Sequence, residues 1–211
     1  MDTTRYELPS QGTSLLGYIV RRLHKTEWLS PVGELVARGD CTQALERVAV
    51  FTAASSTSYG RAYYRPEFNR KGDTFSEPDP ATGAAITAHL ESDSPHYRIA
   101  YEVFMPNGDT FQGNEEITGT TVGWRGLGMP APSLFSFTSA SYLAELTGVI
   151  TSELAPALRG GTRIRAYGFL NLKDNAGNSG KLDLNRQGML KMDVNGQLLE
   201  YDLPRLEKIQ P

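Results

Sequence analysis

The feature that most constrains this chain is the rhythm of its C-terminal half, where short alternating runs are closed again and again by turn residues. Arg163 to Leu172 sets Ile164, Ala166, Gly168, Leu170 and Leu172 against Arg163, Arg165, Tyr167, Phe169 and Asn171. Asp174-Asn175-Ala176-Gly177-Asn178 then turns the chain. Lys181 to Asn185, Met189 to Val194 and Gln197 to Leu203 follow, separated by Gln187-Gly188 and Asn195-Gly196. Period-two alternation puts every second side chain on the same face of a strand. Turn signals every 8–12 residues or so mark an all-β sandwich or barrel. No long helical periodicity alternates with these runs, which argues against a parallel α/β fold.

The same pattern extends towards the N-terminus. Tyr97, Ile99, Tyr101, Val103 and Met105 share one face, with Arg98 and Glu102 on the other. Pro106-Asn107-Gly108-Asp109 reverses the chain, because Asn-Gly tolerates the positive φ of a tight hairpin, and Thr110 to Ile117 returns. Leu134 to Thr138 and Tyr142 to Ser152 read as strands, with a helix start at Tyr142 to Leu146 as the alternative. Arg47 to Ala53 alternates Val48, Val50 and Thr52 with Ala49, Phe51 and Ala53, so a strand with two semi-buried faces is expected there. Tyr59 to Arg65 is expected to be another.

Three segments stand apart. In residues 13 to 24, Leu16, Ile19, Val20 and Leu23 have helical spacing, but Gly17 and the β-branched pair leave a strand open, so residues 1–30 are expected to be helical or irregular. Residues 66–83 hold Pro66, Gly72, Pro78, Pro80 and Gly83 and are expected to form a surface loop. Residues 119–132 are glycine-rich and carry Trp124. The expected architecture is thus one all-β, mainly antiparallel meander over residues 1–211, closed into a barrel.

Composition narrows the function classes. The net charge is −3 and the 21 basic residues form no stripe, so no nucleic-acid partner is expected. Cys41 is the single cysteine, which excludes an internal disulfide framework and suits a reducing, cytoplasmic compartment. The first apolar stretch, Leu15 to Val20, is too short to span a bilayer, and no membrane span is expected.

No cofactor or metal is expected either. Gly180-Lys181 is followed by Leu182 where a phosphate loop needs Ser or Thr, and Gly123, Gly126 and Gly128 lack the order of a dinucleotide fingerprint. His89 and His96 stand seven residues apart with Glu91 and Asp93 between them, a spacing that gives no ligand pair on a helix or strand. A solvated loop is expected there. The Asp174 to Gly180 segment lacks the carboxylates and terminal Glu of a calcium loop, and Asx and Gly residues are what a hairpin requires anyway. There is no Gly-x-Ser-x-Gly elbow.

The remaining signal is aromatic. Ten tyrosines are present, many on expected strands. A tyrosine joins a large apolar face to a hydroxyl that needs a partner when buried. Tyr63, Tyr101, Tyr142 and Tyr167, with Trp124 from the glycine-rich loop, are the expected lining of an amphipathic pocket. Arg61, Glu145, Arg163 and Arg165 are the charges placed to meet them. The expected function is binding of a small, largely apolar molecule in a β-barrel cavity. The alternative is a cofactor-independent isomerase or cyclase using the same cavity, with Glu102 as its acid–base residue. An interaction module with a filled core is the third class.

Two stretches also carry a resemblance. Tyr97-Arg98-Ile99-Ala100-Tyr101 with its Asn107-Gly108 turn, and Glu145-Leu146-Thr147-Gly148-Val149-Ile150, resemble a lipocalin-like β-domain. That domain accompanies bacterial sterol-type flavin oxidoreductases of the glucose–methanol–choline class. The resemblance covers residues 95 to 160 and implies a lipocalin-like barrel that binds an apolar molecule. The flavin-binding glycine fingerprint and the lipocalin Gly-x-Trp signature are both missing, so no oxidoreductase activity carries over.

Overall fold

A computed structural model describes residues 32–59, 71–72, 74–78, 85–92, 96–118, 131–156, 162–202 and 207–209. Two helices come first, α1 (Val32–Ala37) and α2 (Cys41–Tyr59). Eleven strands follow: β1 (Thr74–Pro78), β2 (Ala85–Ser92), β3 (His96–Phe104), β4 (Thr110–Thr118), β5 (Ala131–Ser139) and β6 (Tyr142–Pro156). The rest are β7 (Thr162–Asp174), β8 (Ser179–Leu184), β9 (Met189–Val194), β10 (Gln197–Asp202) and β11 (Glu207–Ile209). Every strand pairs antiparallel with its sequence neighbours, so the sheet is a pure meander from β1 to β11. Among the described residues no ladder joins β1 to β11. None of the described helices is long and apolar enough to cross a membrane.

The register lines up an apolar inner face. Ser133 of β5 lies level with Gly148, Leu170, Leu182, Met192 and Leu199 on the next five strands. Two residues away along the strands, Phe135 is level with Leu146, Leu172, Gly180 and Val194. Most of these side chains are fully buried, while Phe169, Asn171, Lys181 and Lys191 at the alternate positions are exposed. Cross-strand ion pairs sit on that outer face, Lys173 with Glu145 at 2.6 Å and Lys191 with Glu200 at 2.8 Å.

Helix α2 covers the inner face. Asp40 caps it: its Oδ1 accepts from the Gln43 N–H at 3.1 Å, and its carbonyl accepts the first helical bond from Ala44. Ala44, Leu45, Val48, Ala49, Val50, Phe51, Thr52 and Ala53 are all buried, so the helix is enclosed on nearly every side. It packs against β6, β7 and β9, with α1 on its flank. This overturns the strand expected at Arg47 to Ala53. A helix apolar all round loses its 3.6-residue signature, and the alternating Val48, Val50 and Thr52 imitate a strand. Tyr59 likewise ends α2 rather than starting a strand, and residues 60–65 lie outside the described residues.

The helix also shows that the sheet is curled. Phe51 meets Phe111 of β4 edge-on, with ring centroids 4.5 Å apart. Five residues earlier, the Glu46 carboxylate accepts a hydrogen bond from Tyr201 of β10. A flat sheet would hold β4 and β10 about 29 Å apart at ~4.8 Å per strand. The two helix positions are separated by only about 7.5 Å of rise. The strands therefore wrap round α2. At the middle of the two longest strands, Gly148 and Gly168 stand on neighbouring registers, opposite Leu170 and Ile150. Gly168 has φ +146°, and a Cβ there would lie 2.0 Å from the Val149 carbonyl oxygen. Only glycine permits this approach, which suits the tight bend of a coiled sheet.

The hairpins are closed as their turn residues require. In β3–β4 the Met105 N–H donates to Asp109 O and the Gly108 N–H to Met105 O, leaving a three-residue loop with Gly108 at φ +88°. Asn107 and Asp109 lock it by reciprocal hydrogen bonds of 2.9 and 3.1 Å. The same bonding pattern closes β7–β8 at Asp174 and β8–β9 at Asn185. Tyr142 to Leu146 is strand, not helix. The expected surface loop at 66–83 contains β1, and His89 and Glu91 lie on β2 rather than in a loop. These two strands lack clear alternation, and they form by pairing in succession: Ala85 to Leu90 of β2 pair with Phe104 to Ile99 of β3, and β1 pairs with the outer edge of β2. Residues 1–31 and 119–130 are outside the described residues.

Two substitutions test these constraints. Gly108→Val is expected to lower the unfolding free energy by about 1 kcal/mol or more through positive-φ strain. Gly168→Ala should cost at least ~3 kcal/mol, because backbone atoms must shift to admit the methyl group. Urea denaturation midpoints measure both, and an unchanged midpoint for either would place the bend or turn elsewhere.

Candidate functional site

The aromatic residues expected to form one pocket take up different positions. Tyr63 and Trp124 lie outside the described residues. Tyr101 sits mid-strand on β3, paired with Ala88 and Gly113, and its side chain is also outside them. Tyr142 is buried on the inner face, and Tyr167 is on the outer face of β7 between buried Ala166 and Leu170. The structure does not bring Tyr142 and Tyr167 together. Of the expected charges, Glu145 pairs with Lys173 outside the sheet. Arg61 and the side chains of Arg163 and Arg165 are not described. Glu102 accepts from Gln112 Nε2 at 2.6 Å, and Gln112 Oε1 in turn accepts from Ser136 Oγ at 3.4 Å. This polar ladder crosses β3, β4 and β5 on the side opposite buried Val103.

Tyr142 anchors a polar junction at the capped end of α2. Its hydroxyl donates to Asp174 Oδ2 at 3.2 Å. The same carboxylate accepts from the N–H groups of Ala176 and Asn178 at 3.0 and 2.8 Å, and from Asn178 Nδ2 at 2.7 Å. Asn178 Oδ1 then accepts from Thr42 Oγ1 of α2 at 3.0 Å and from Asn195 Nδ2 at 2.7 Å. One connected network ties the helix to two hairpin turns. Burial, followed by the neighbouring Asp174 charge and its hydrogen bond, pushes the Tyr142 phenol far above its ordinary range. The hydroxyl is a fixed donor at neutral pH, which makes it a structural element of this junction.

On the outer face Tyr167 contributes to a different feature. An open groove of about 440 Å³ is lined by Tyr167, Phe169, Leu184, Asn185 and Arg186, among others. The Arg186 guanidinium lies over the Tyr167 ring, 4.3 Å from its centroid, and Nη2 donates to the Tyr167 hydroxyl at 2.9 Å. Phe169 is 54% exposed beside them. The Asn185 side chain is committed to its own turn, accepting from the Gln187 and Met189 N–H groups at 2.9 and 3.0 Å.

The inner face holds residues that the sequence did not single out. Phe51, Phe111 and Phe135 form a fully buried aromatic run, the last two stacked at 6.2 Å between centroids. Glu46 and Tyr201 form a buried polar contact between α2 and β10. A carboxylate in an otherwise apolar helical face was the available signal, but it becomes readable only once residues 41–59 are seen as a helix. Among the described residues, no three His, Cys, Asp or Glu side chains gather as a metal-binding group. His89 Nδ1 is 3.5 Å from Thr74 Oγ1, and Glu91 pairs with Arg98 at 3.6 Å.

No known family model matches this chain, and no curated protein sequence matches it. Solved structures do. Over 100% of its length the chain superposes on the Osh1 ORD domain crystallised with ergosterol, at a TM-score of 0.59 and 20% sequence identity. The Osh1 ORD domain in complex with cholesterol matches with the same values. The chain spans 56% of the length of that domain. At this identity the likeness is one of fold.

The Tyr142 junction gives a pH-dependent prediction. The folded phenol holds its proton above the ordinary value of 10.0, so the unfolded chain loses that proton first as pH rises. The stability it contributes is complete below about pH 10 and declines above it. Tyr142→Phe should unfold about 1 kcal/mol more easily at neutral pH through the lost hydrogen bond. Between about pH 9 and 11 the variant should lose less stability than the wild type. Denaturant titrations across that range measure both effects.

Proposed function

We propose that this chain binds a small, largely apolar molecule, of the size and rigidity of a sterol, within the curve of its sheet. The observation that carries this reading is the likeness in fold, across the whole chain, to one domain, the Osh1 ORD domain, crystallised once with ergosterol and once with cholesterol. A continuous apolar inner face from β3 to β10 supports it, since an apolar ligand gains most from surface already turned away from water. Because α2 packs against β6, β7 and β9, and its Phe51 also reaches Phe111 of β4, the proposed site is the inner face near β1 to β3, where Tyr101 lies. Trp124, in the segment between β4 and β5, is proposed as a further ligand contact.

A fluorescent sterol such as dehydroergosterol tests this directly, with tryptophan emission as the donor signal. Saturable binding near one ligand per chain is expected. Tyr101→Ala should weaken it about tenfold, corresponding to ~1.4 kcal/mol. Trp124→Ala should remove much of the energy transfer. A folded protein that takes up neither the sterol nor a long-chain fatty acid overturns the proposal. Binding that survives both substitutions unchanged would take these two residues out of the site and leave the binding function standing.

A further inference from the structure

We draw no further inference here: the strongest candidate, the open outer-face groove between Tyr167, Phe169, Leu184 and Arg186 on β7, β8 and the turn that follows, carries nothing because no feature of the structure shows what covers it.

Discussion

The fold depends on the burial of α2 against the concave side of the sheet. An open antiparallel meander presents one apolar face, and eleven strands are more than a twisted sheet holds flat, so curling is expected. Curling alone would enclose empty space among Leu170, Leu182, Leu190, Met192 and Val194. Helix α2 fills that space, with Leu45, Val48, Phe51 and Ala53 all withdrawn from water. Each large apolar side chain buried in this way contributes about 1.5–3 kcal/mol. The helix is a poor candidate for independent stability, because nearly every residue of its first three turns needs a protein neighbour. Sheet curvature and helix burial are therefore one event, and neither has a plausible energy without the other.

Polar contacts set the direction of that docking. Among the described residues, side-chain hydrogen bonds tie α2 to the sheet at Thr42, which meets Asn178 at one end, and at Glu46, which meets Tyr201 further along. Apolar packing tolerates sliding and rotation, whereas a buried carboxylate left without its partner is costly. The Glu46–Tyr201 contact thus fixes helix rotation relative to β10. The Asn178 network fixes its axial position relative to two hairpin turns. Gly148 and Gly168 do the corresponding work in the sheet, allowing β6 and β7 to bend where side chains would otherwise meet carbonyl oxygens.

What was legible in the sequence follows from the same physics. Hairpins with their own turn chemistry were readable, because Asn107-Gly108 and Asn195-Gly196 specify local backbone geometry that no distant contact needs to enforce. Met189–Val194 and Ala166 to Leu172 were readable because one side is wet and the other dry. Where both sides are dry, the pattern vanishes. Val48 to Ala53 gave no period to separate helix from strand, and the better clue was the absence of Gly and Pro from Cys41 to Tyr59 after a capping Asp40. Strands β1 and β2 were hidden for another reason: Pro78 and a run of charges suggested a loop over β1, the His89–Glu91 cluster suggested one over β2, and the order there comes from β2 pairing with β3 and β1 pairing with β2.

The tyrosines show why site residues were harder to place than strands. A phenol ring fits either face of a half-buried strand, since its body is apolar and its tip polar. Frequency on strands therefore carried no information about convergence. Tyr142 satisfies its hydroxyl inside, on the Asp174 junction, and Tyr167 satisfies its own outside, under Arg186. Glu102 illustrates the complementary point, because alternation alone put it opposite Val103, and its ladder through Gln112 keeps it there. Helix α2 occupies the inner face of β6, β7 and β9 and reaches Phe111 of β4 through Phe51, so the proposed ligand would meet the inner face towards β1 to β3. Of the residues the sequence singled out, Tyr101 is the one whose strand position fits that requirement.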